Sequence, residues 1–161
     1  MTITTYFASL NHSGRGSGAD VFPYGVATVA ATVVERFGDT MKGSVFAYAE
    51  KLNEAMEREA PDFLCLSNFA WNFNLSLAFA KLAKQLNPNV IVIMGGPNIP
   101  ITHAARRTFM QSIPNVDIYI KWDGEDALPH LMDELIRQDL SMTRFRQNGK
   151  TLDNCLYLVG D

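Results

Sequence analysis

The sequence predicts one α/β domain built on a doubly wound, mostly parallel, five-stranded sheet with a C-terminal hairpin extension. Two observations carry this reading. Short, nearly continuous apolar runs such as Val90-Ile-Val-Ile-Met94 alternate with stretches of helical periodicity, the pattern of strands covered by helices on both faces. Such alternation calls for right-handed crossovers between parallel strands. The 161 residues, 47% hydrophobic and 19% charged, suffice for one buried core and match neither a disordered nor a fibrous chain.

The elements follow in order. Tyr6 to Leu10 is the first strand, opening into the glycine-rich polar loop Asn11 to Gly18. Pro23 introduces a helix from Tyr24 to Phe37 that is apolar on most sides (Val26, Val29, Ala30, Val33, Val34) and is therefore expected to be well buried. Gly38 fits the left-handed position that commonly ends a helix. A second strand at Ser44 to Tyr48 precedes a polar helix with Leu52, Ala55 and Met56 inward, closed by Pro61. Asp62 to Ser67 is the third strand, and Leu75 to Leu86 a helix with Leu75, Phe79, Leu82 and Leu86 on one stripe and Lys84 outside it. Asn72 or Asn74 stands where it can cap that helix. The fourth strand, Val90 to Met94, stops at Gly95-Gly96-Pro97-Asn98, and a weaker helix runs from Thr102 to Ile113. Asp117 to Lys121 is the fifth strand, and Asp126 to Arg137 a helix whose acidic start and basic end suit its dipole. Asn148-Gly149, between Phe145 to Gln147 and Lys150 to Leu152, is a strong hairpin signal, with further extended structure at Cys155 to Leu158.

Charge and composition exclude several classes. A net charge of -3, with basic residues gathered only at Arg144, Arg146 and Lys150, argues against a nucleic-acid binder. The N-terminus lacks the basic and apolar regions of a signal peptide. The most apolar stretch, Val26 to Val34, carries Thr28 and Thr32 and is too short to span a membrane. Cys65 and Cys155 make no disulfide framework, and Cys65 reads as a small core residue. The expected compartment is the cytoplasm.

Ligands of open α/β sheets sit beyond the strands' C-terminal ends, near the point where strand order reverses. Three loops on that edge have unusual content: Ser67-Asn-Phe-Ala-Trp-Asn72, Gly95-Gly-Pro-Asn98 and Trp122-Asp-Gly-Glu125. Paired glycines admit a ligand close to the backbone, and Trp71 beside Asn72 offers an apolar plane next to amide groups, suiting a large ligand rich in amides. Taken singly, each part has a plainer reading. Gly-Gly-Pro turns the chain, Trp71 packs, Asn72 caps a helix and Glu125 complements a helix dipole. Their coincidence on one edge favours a site.

As a set, Ser67-x-x-x-Trp71-Asn72, a Lys-bearing helix, Gly95-Gly96-Pro97-Asn98, Asp117 and Gly124-Glu125 resemble the N-terminal cobalamin (vitamin B12)-binding domain of cobalamin-dependent radical S-adenosylmethionine (SAM) enzymes. The resemblance is strongest from Asp62 to Leu135; where that family usually reads Gly-Glu-Gly-Glu, this chain has Trp122-Asp123-Gly124-Glu125. It implies a flavodoxin-like, Rossmann-like domain holding the corrin ring on the sheet's C-terminal edge, base-off and without a histidine ligand. The nucleotide tail would lie in a groove lined by the loops after the third and fourth strands. By motif match the contacts are Ser67, Asn68, Trp71, Asn72, Gly95, Gly96, Pro97 and Asn98, with Gly124 and Glu125 next. Gly96→Leu should then abolish cofactor retention and leave the fold intact.

The resemblance further implies a parent enzyme, most simply a methyltransferase, that also uses an iron–sulfur cluster and S-adenosylmethionine. Neither belongs to this chain, because a cluster needs three closely spaced cysteines and here Cys65 and Cys155 stand far apart. Residues 1–140 would be the cobalamin-binding domain and 141–161 a connector toward a radical SAM domain in the same parent chain. Apolar residues in the tail, Phe145 to Leu158, suggest a homodimer of the fragment.

The pattern Asp-x-His-x-x-Gly, which would give cobalt an imidazole, is approached only by His12 with Gly14, without the acid. His103 and His130 fall on helix surfaces and carry no chemistry. A flavin- or nucleotide-binding domain of the same architecture is the alternative, although no Gly-x-Gly-x-x-Gly turn follows the first strand. A receiver-like interaction module would want an aspartate ending the third strand, where Ser67 and Asn68 stand.

Overall fold

The computed structural model describes residues 2–11 and 22–159. Its elements run β1 (Ile3–Asn11), α1 (Tyr24–Phe37), a short 3-10 turn, β2 (Met41–Tyr48), α2 (Ala49–Arg58), β3 (Phe63–Ser67), α3 (Phe73–Leu86), β4 (Ile91–Gly95), α4 (His103–Ser112), β5 (Ile118–Ile120), α5 (Gly124–Arg137), α6 (Met142–Asn148) and β6 (Cys155–Leu156). The sheet order is β2-β1-β3-β4-β5-β6. The first five strands pair in parallel, and β6 lies antiparallel on β5. Strand order reverses between β1 and β3, which places the ligand crevice of such sheets above their C-terminal ends.

Alternation along the central strands divides the core in two. Phe7, Phe63, Cys65, Ile91 and Ile93 face a layer made by α1, α5 and α6. Tyr6, Ala8, Leu64, Leu66, Val92 and Met94 face the layer of α2, α3 and α4. β3 and β4 are buried from end to end apart from their last residues, as strands covered on both faces must be. Among the described residues, no helix is long and apolar enough to cross a membrane.

Three sequence expectations need correction. The tail forms no hairpin: residues 142–148 are helical, and Gly149, at φ 62°, is the left-handed residue that ends the helix. An Asn-Gly pair serves either role, because both need a positive φ. Here Ser141 Oγ accepts from Arg144 N at 3.3 Å as an N-cap, and Phe145 is buried against α5 and Tyr157, so the helix wins. Extended structure at Cys155–Leu156 does form and makes six strands rather than five among the described residues.

The second correction concerns α3. Its inward stripe is Ser76, Phe79, Ala80 and Ala83, while Leu86 is exposed. Small residues bring this helix close to the sheet, and Lys84 turns inward to an ion pair with Asp117.

The third concerns α1, where only Ala30 and Val33 are buried in spite of its apolar character. Its first turns line a cavity, so Val26 and Val29 pack against the core and are only partly buried.

Candidate functional site

A cavity of about 730 Å³ opens at the C-terminal ends of β1, β3, β4 and β5. Alternate strand residues Phe7, Cys65 and Ile93 floor it, and Val26 and Val29 of α1 with Leu128 of α5 wall it. It is therefore a slot between the sheet and two helices, lined mainly by carbon. Burial pushes the Cys65 thiol well above its ordinary range, so it acts as an apolar group here. Four large aromatic side chains at the rim, Phe22, Tyr24, Trp71 and Trp122, are each at least 60% exposed. Trp71 stacks on Phe69 with ring centres 4.4 Å apart and planes 9° from parallel.

The polar lining is sparse. Ser67 Oγ donates to Ser9 Oγ at 3.0 Å and accepts from Asn72 Nδ2 at 2.9 Å. Glu125 Oε1 accepts from Thr28 Oγ1 at 2.9 Å, which ties the start of α5 to α1. A Cβ on Gly124 would lie 3.1 Å from Val29 Cγ2, so the two helices meet closely there. Among the described lining residues Glu125 is the charged one, with no lysine, arginine or histidine beside it. Such a lining suits a large ligand of low net charge and many amides, not one recognised through several phosphates.

Of the residues expected from the sequence, Ser67, Trp71, Gly95, Gly96, Gly124 and Glu125 line the cavity. Pro97 is exposed outside it. Asn72 is buried at the N-cap of α3, yet its side chain does not cap that helix: Oδ1 accepts from Phe69 N and Nδ2 donates to Ser67. Asn68 is fully buried and bonds to Asn98 and Tyr119. Gly96 also departs from expectation. Its φ is 134°, and a Cβ there would fall 2.5 Å from the Asn68 carbonyl oxygen. A leucine at this position would strike backbone, so Gly96→Leu is a folding defect and not a clean test of the ligand. His12 and the glycines at 14, 16 and 18 lie outside the described residues. His103 is exposed, and the exposed His130 holds Nδ1 2.9 Å from the Asp126 carbonyl oxygen.

The sequence reading missed the start of α1. Phe22, Pro23, Tyr24 and Gly25 all line the cavity, and a Cβ on Gly25 would meet nothing within 4 Å. The available signal was the excess of apolar residues around that helix, more than one packed face requires.

Comparison with known proteins bears directly on this arrangement. The family model of the B12 binding domain matches residues 14–132. A 72-residue stretch, 45% of the chain, is 39% identical to the cobalamin-dependent radical SAM methyltransferase TokK of Streptomyces tokunonensis and covers 10% of it. An 84-residue stretch, 52% of the chain, is 33% identical to 2-(S-pantetheinyl)-carbapenam-3-carboxylate methyltransferase of Streptantibioticus cattleyicolor and covers 12% of it. The matches thus span only about a tenth of those relatives' length. The crystal structure of the methanol:cobalamin methyltransferase complex MtaBC from Methanosarcina barkeri superposes with a TM-score of 0.61. That match covers 93% of this chain and 52% of the other at 15% identity, a likeness of fold.

Proposed function

The chain belongs to the B12-binding domain family, and from that premise we propose that it holds cobalamin base-off for a radical SAM methyltransferase domain of the same parent protein. The observation that carries this reading is the cavity at the reversal point of the sheet, whose described lining is mainly apolar and has Glu125 as its charged residue. Its residues fit the group. Trp71, Trp122, Tyr24 and the backbone at Gly95 and Gly96 would hold the ring and its amide arms. The slot floored by Phe7, Cys65 and Ile93 would take the nucleotide tail. Cobalamin bound there supplies methyl-transfer chemistry at its cobalt. The protein's own part is to desolvate one face of the ring, exclude water from the slot and fix the ring's orientation.

Among the described residues no group of three or more His, Cys, Asp or Glu side chains could hold a metal ion. The iron–sulfur cluster and S-adenosylmethionine would belong to the rest of the parent enzyme, and residues 141–161 would lead toward it. With Phe145 in the core, that connector also closes the cobalamin-binding domain of residues 1–140. The two unpaired cysteines suit the cytoplasm. A homodimer through the tail would rest on β6, the edge strand of the sheet among the described residues, since Phe145 is buried. Light scattering at increasing concentration should detect it as a rise in mass, and a constant monomer mass would exclude it.

The main test is the visible spectrum after incubation with hydroxocobalamin and desalting, with a retained corrin spectrum expected. Retained flavin fluorescence in its place would move the assignment to a flavin domain of the same architecture. Electron paramagnetic resonance of the reduced Co(II) form should show no splitting from an axial nitrogen, before or after His12→Ala. A nitrogen triplet lost on that substitution would make His12 a ligand and overturn the histidine-free reading.

A further inference from the structure

We infer that Asn68, Asn98 and Tyr119 form a lock that presets one wall of the cavity, acting as positioning residues and not as contacts of the bound cofactor. The consequence for binding rests on the cobalamin reading above; the lock itself rests on geometry. Asn68 lies just past β3 and Asn98 just past β4, and Tyr119 is in β5. Asn68 Nδ2 donates to the Asn98 carbonyl at 2.8 Å and to Tyr119 Oη at 3.0 Å. Asn98 Nδ2 returns a bond to Asn68 Oδ1 at 3.1 Å, and Tyr119 Oη donates to the Gly96 carbonyl at 2.8 Å. Main-chain bonds reinforce the set: Asn68 N donates to Gly95 O at 2.6 Å and Asn98 N to Asn68 O at 3.3 Å.

Both amide hydrogens of Asn68 are thereby engaged inside the protein, and Asn68 and Tyr119 are each 0% exposed. Burial pushes the Tyr119 phenol up to about 12, which keeps it protonated and able to donate. The close approach of the two loops explains why position 96 must be glycine. Gly96, at φ 134°, would otherwise leave the turn after β4 with few side-chain restraints. A loop that is competent only part of the time weakens apparent affinity by that fraction. The lock removes this penalty without touching the ligand.

Tyr119→Phe removes the hydroxyl and keeps the ring packed against Phe109, and Asn98→Ala opens the lock from its other end. In the ligand-free protein, hydrogen exchange at the Asn68 and Asn98 amides, which bond across the two loops, should quicken in both variants. Cobalamin association should slow about fivefold, the size of one net hydrogen bond, with the bound spectrum unchanged. The double variant should lose little more than either single one, because both open the same lock. Unchanged loop exchange would overturn the inference. So would an affinity loss confined to dissociation with an altered bound spectrum, which would make these residues direct contacts. If the unsubstituted protein retains no cobalamin, the functional reading fails, and the exchange measurement still decides whether the lock exists.

Discussion

Gly25→Leu is expected to abolish cobalamin retention while leaving the melting temperature unchanged or slightly raised. Gly25 stands in the first turn of α1 and lines the cavity, and a Cβ added there meets no heavy atom within 4 Å. The new side chain therefore starts in open space with respect to the described residues and extends into volume assigned to the ligand. Replacing a helical glycine also gains about 0.5–1 kcal/mol of helix propensity, so stability moves in the favourable direction. Affinity should fall by about a hundredfold or more, the equivalent of a clash costing about 2.7 kcal/mol. Gly25→Ala adds one carbon to the same open space and should be nearly silent. Parallel cobalamin titrations and thermal unfolding of the three proteins would decide. Undiminished affinity in the leucine variant would remove α1 from the binding wall. Gly96→Leu cannot replace this experiment, because its side chain collides with the Asn68 backbone and would lower stability and binding together.

The contrast between the two glycines shows how far the site was legible in the sequence. The edge of the sheet was readable, because apolar runs ending in glycine and asparagine mark strand C-termini wherever they occur. Which motif residues face outward was not. Asn68, Asn72 and Asn98 turn their side chains into the protein and hold the loops together, whereas Phe22, Tyr24 and Gly25, outside any motif, line the cavity. Amide side chains serve a ligand or a neighbouring loop equally well, and only the close approach of the β3 and β4 loops decides between them. The tail was misread for a related reason. Asn148-Gly149 reports a positive φ and does not say which element it closes; the burial of Phe145, a tertiary contact, settles it.

The Lys-bearing helix and Asp117 resolve in the same way, as an internal ion pair, and Lys84→Met is expected to cost substantial stability. Lys84 Nζ donates at 2.6 Å both to Asp117 Oδ2 and to the Val90 carbonyl, while Asp117 Oδ2 also accepts from Val92 N at 2.9 Å. The pair fastens α3 to the N-terminal ends of β4 and β5, the edge of the sheet opposite the cavity. Its carboxylate is 9% exposed. Methionine keeps the apolar stem and removes the charge, leaving a buried carboxylate with one amide and the Arg146 guanidinium 3.7 Å away. Breaking one side of a buried pair costs about 3–5 kcal/mol, and Arg146 places the expectation at the lower end. In a domain of this length about 3 kcal/mol corresponds to a fall of roughly 6–12 °C in Tm. Adding Asp117→Asn to Lys84→Met should recover most of that loss, because a neutral amide still accepts from Val92 N and leaves no uncompensated charge. Urea and thermal unfolding of the two variants would test this, and a single-variant loss below about 1 kcal/mol, as in an exposed pair, would refute it. Cobalamin affinity measured well below either Tm should be unchanged, since the pair braces the edge of the sheet away from the cofactor.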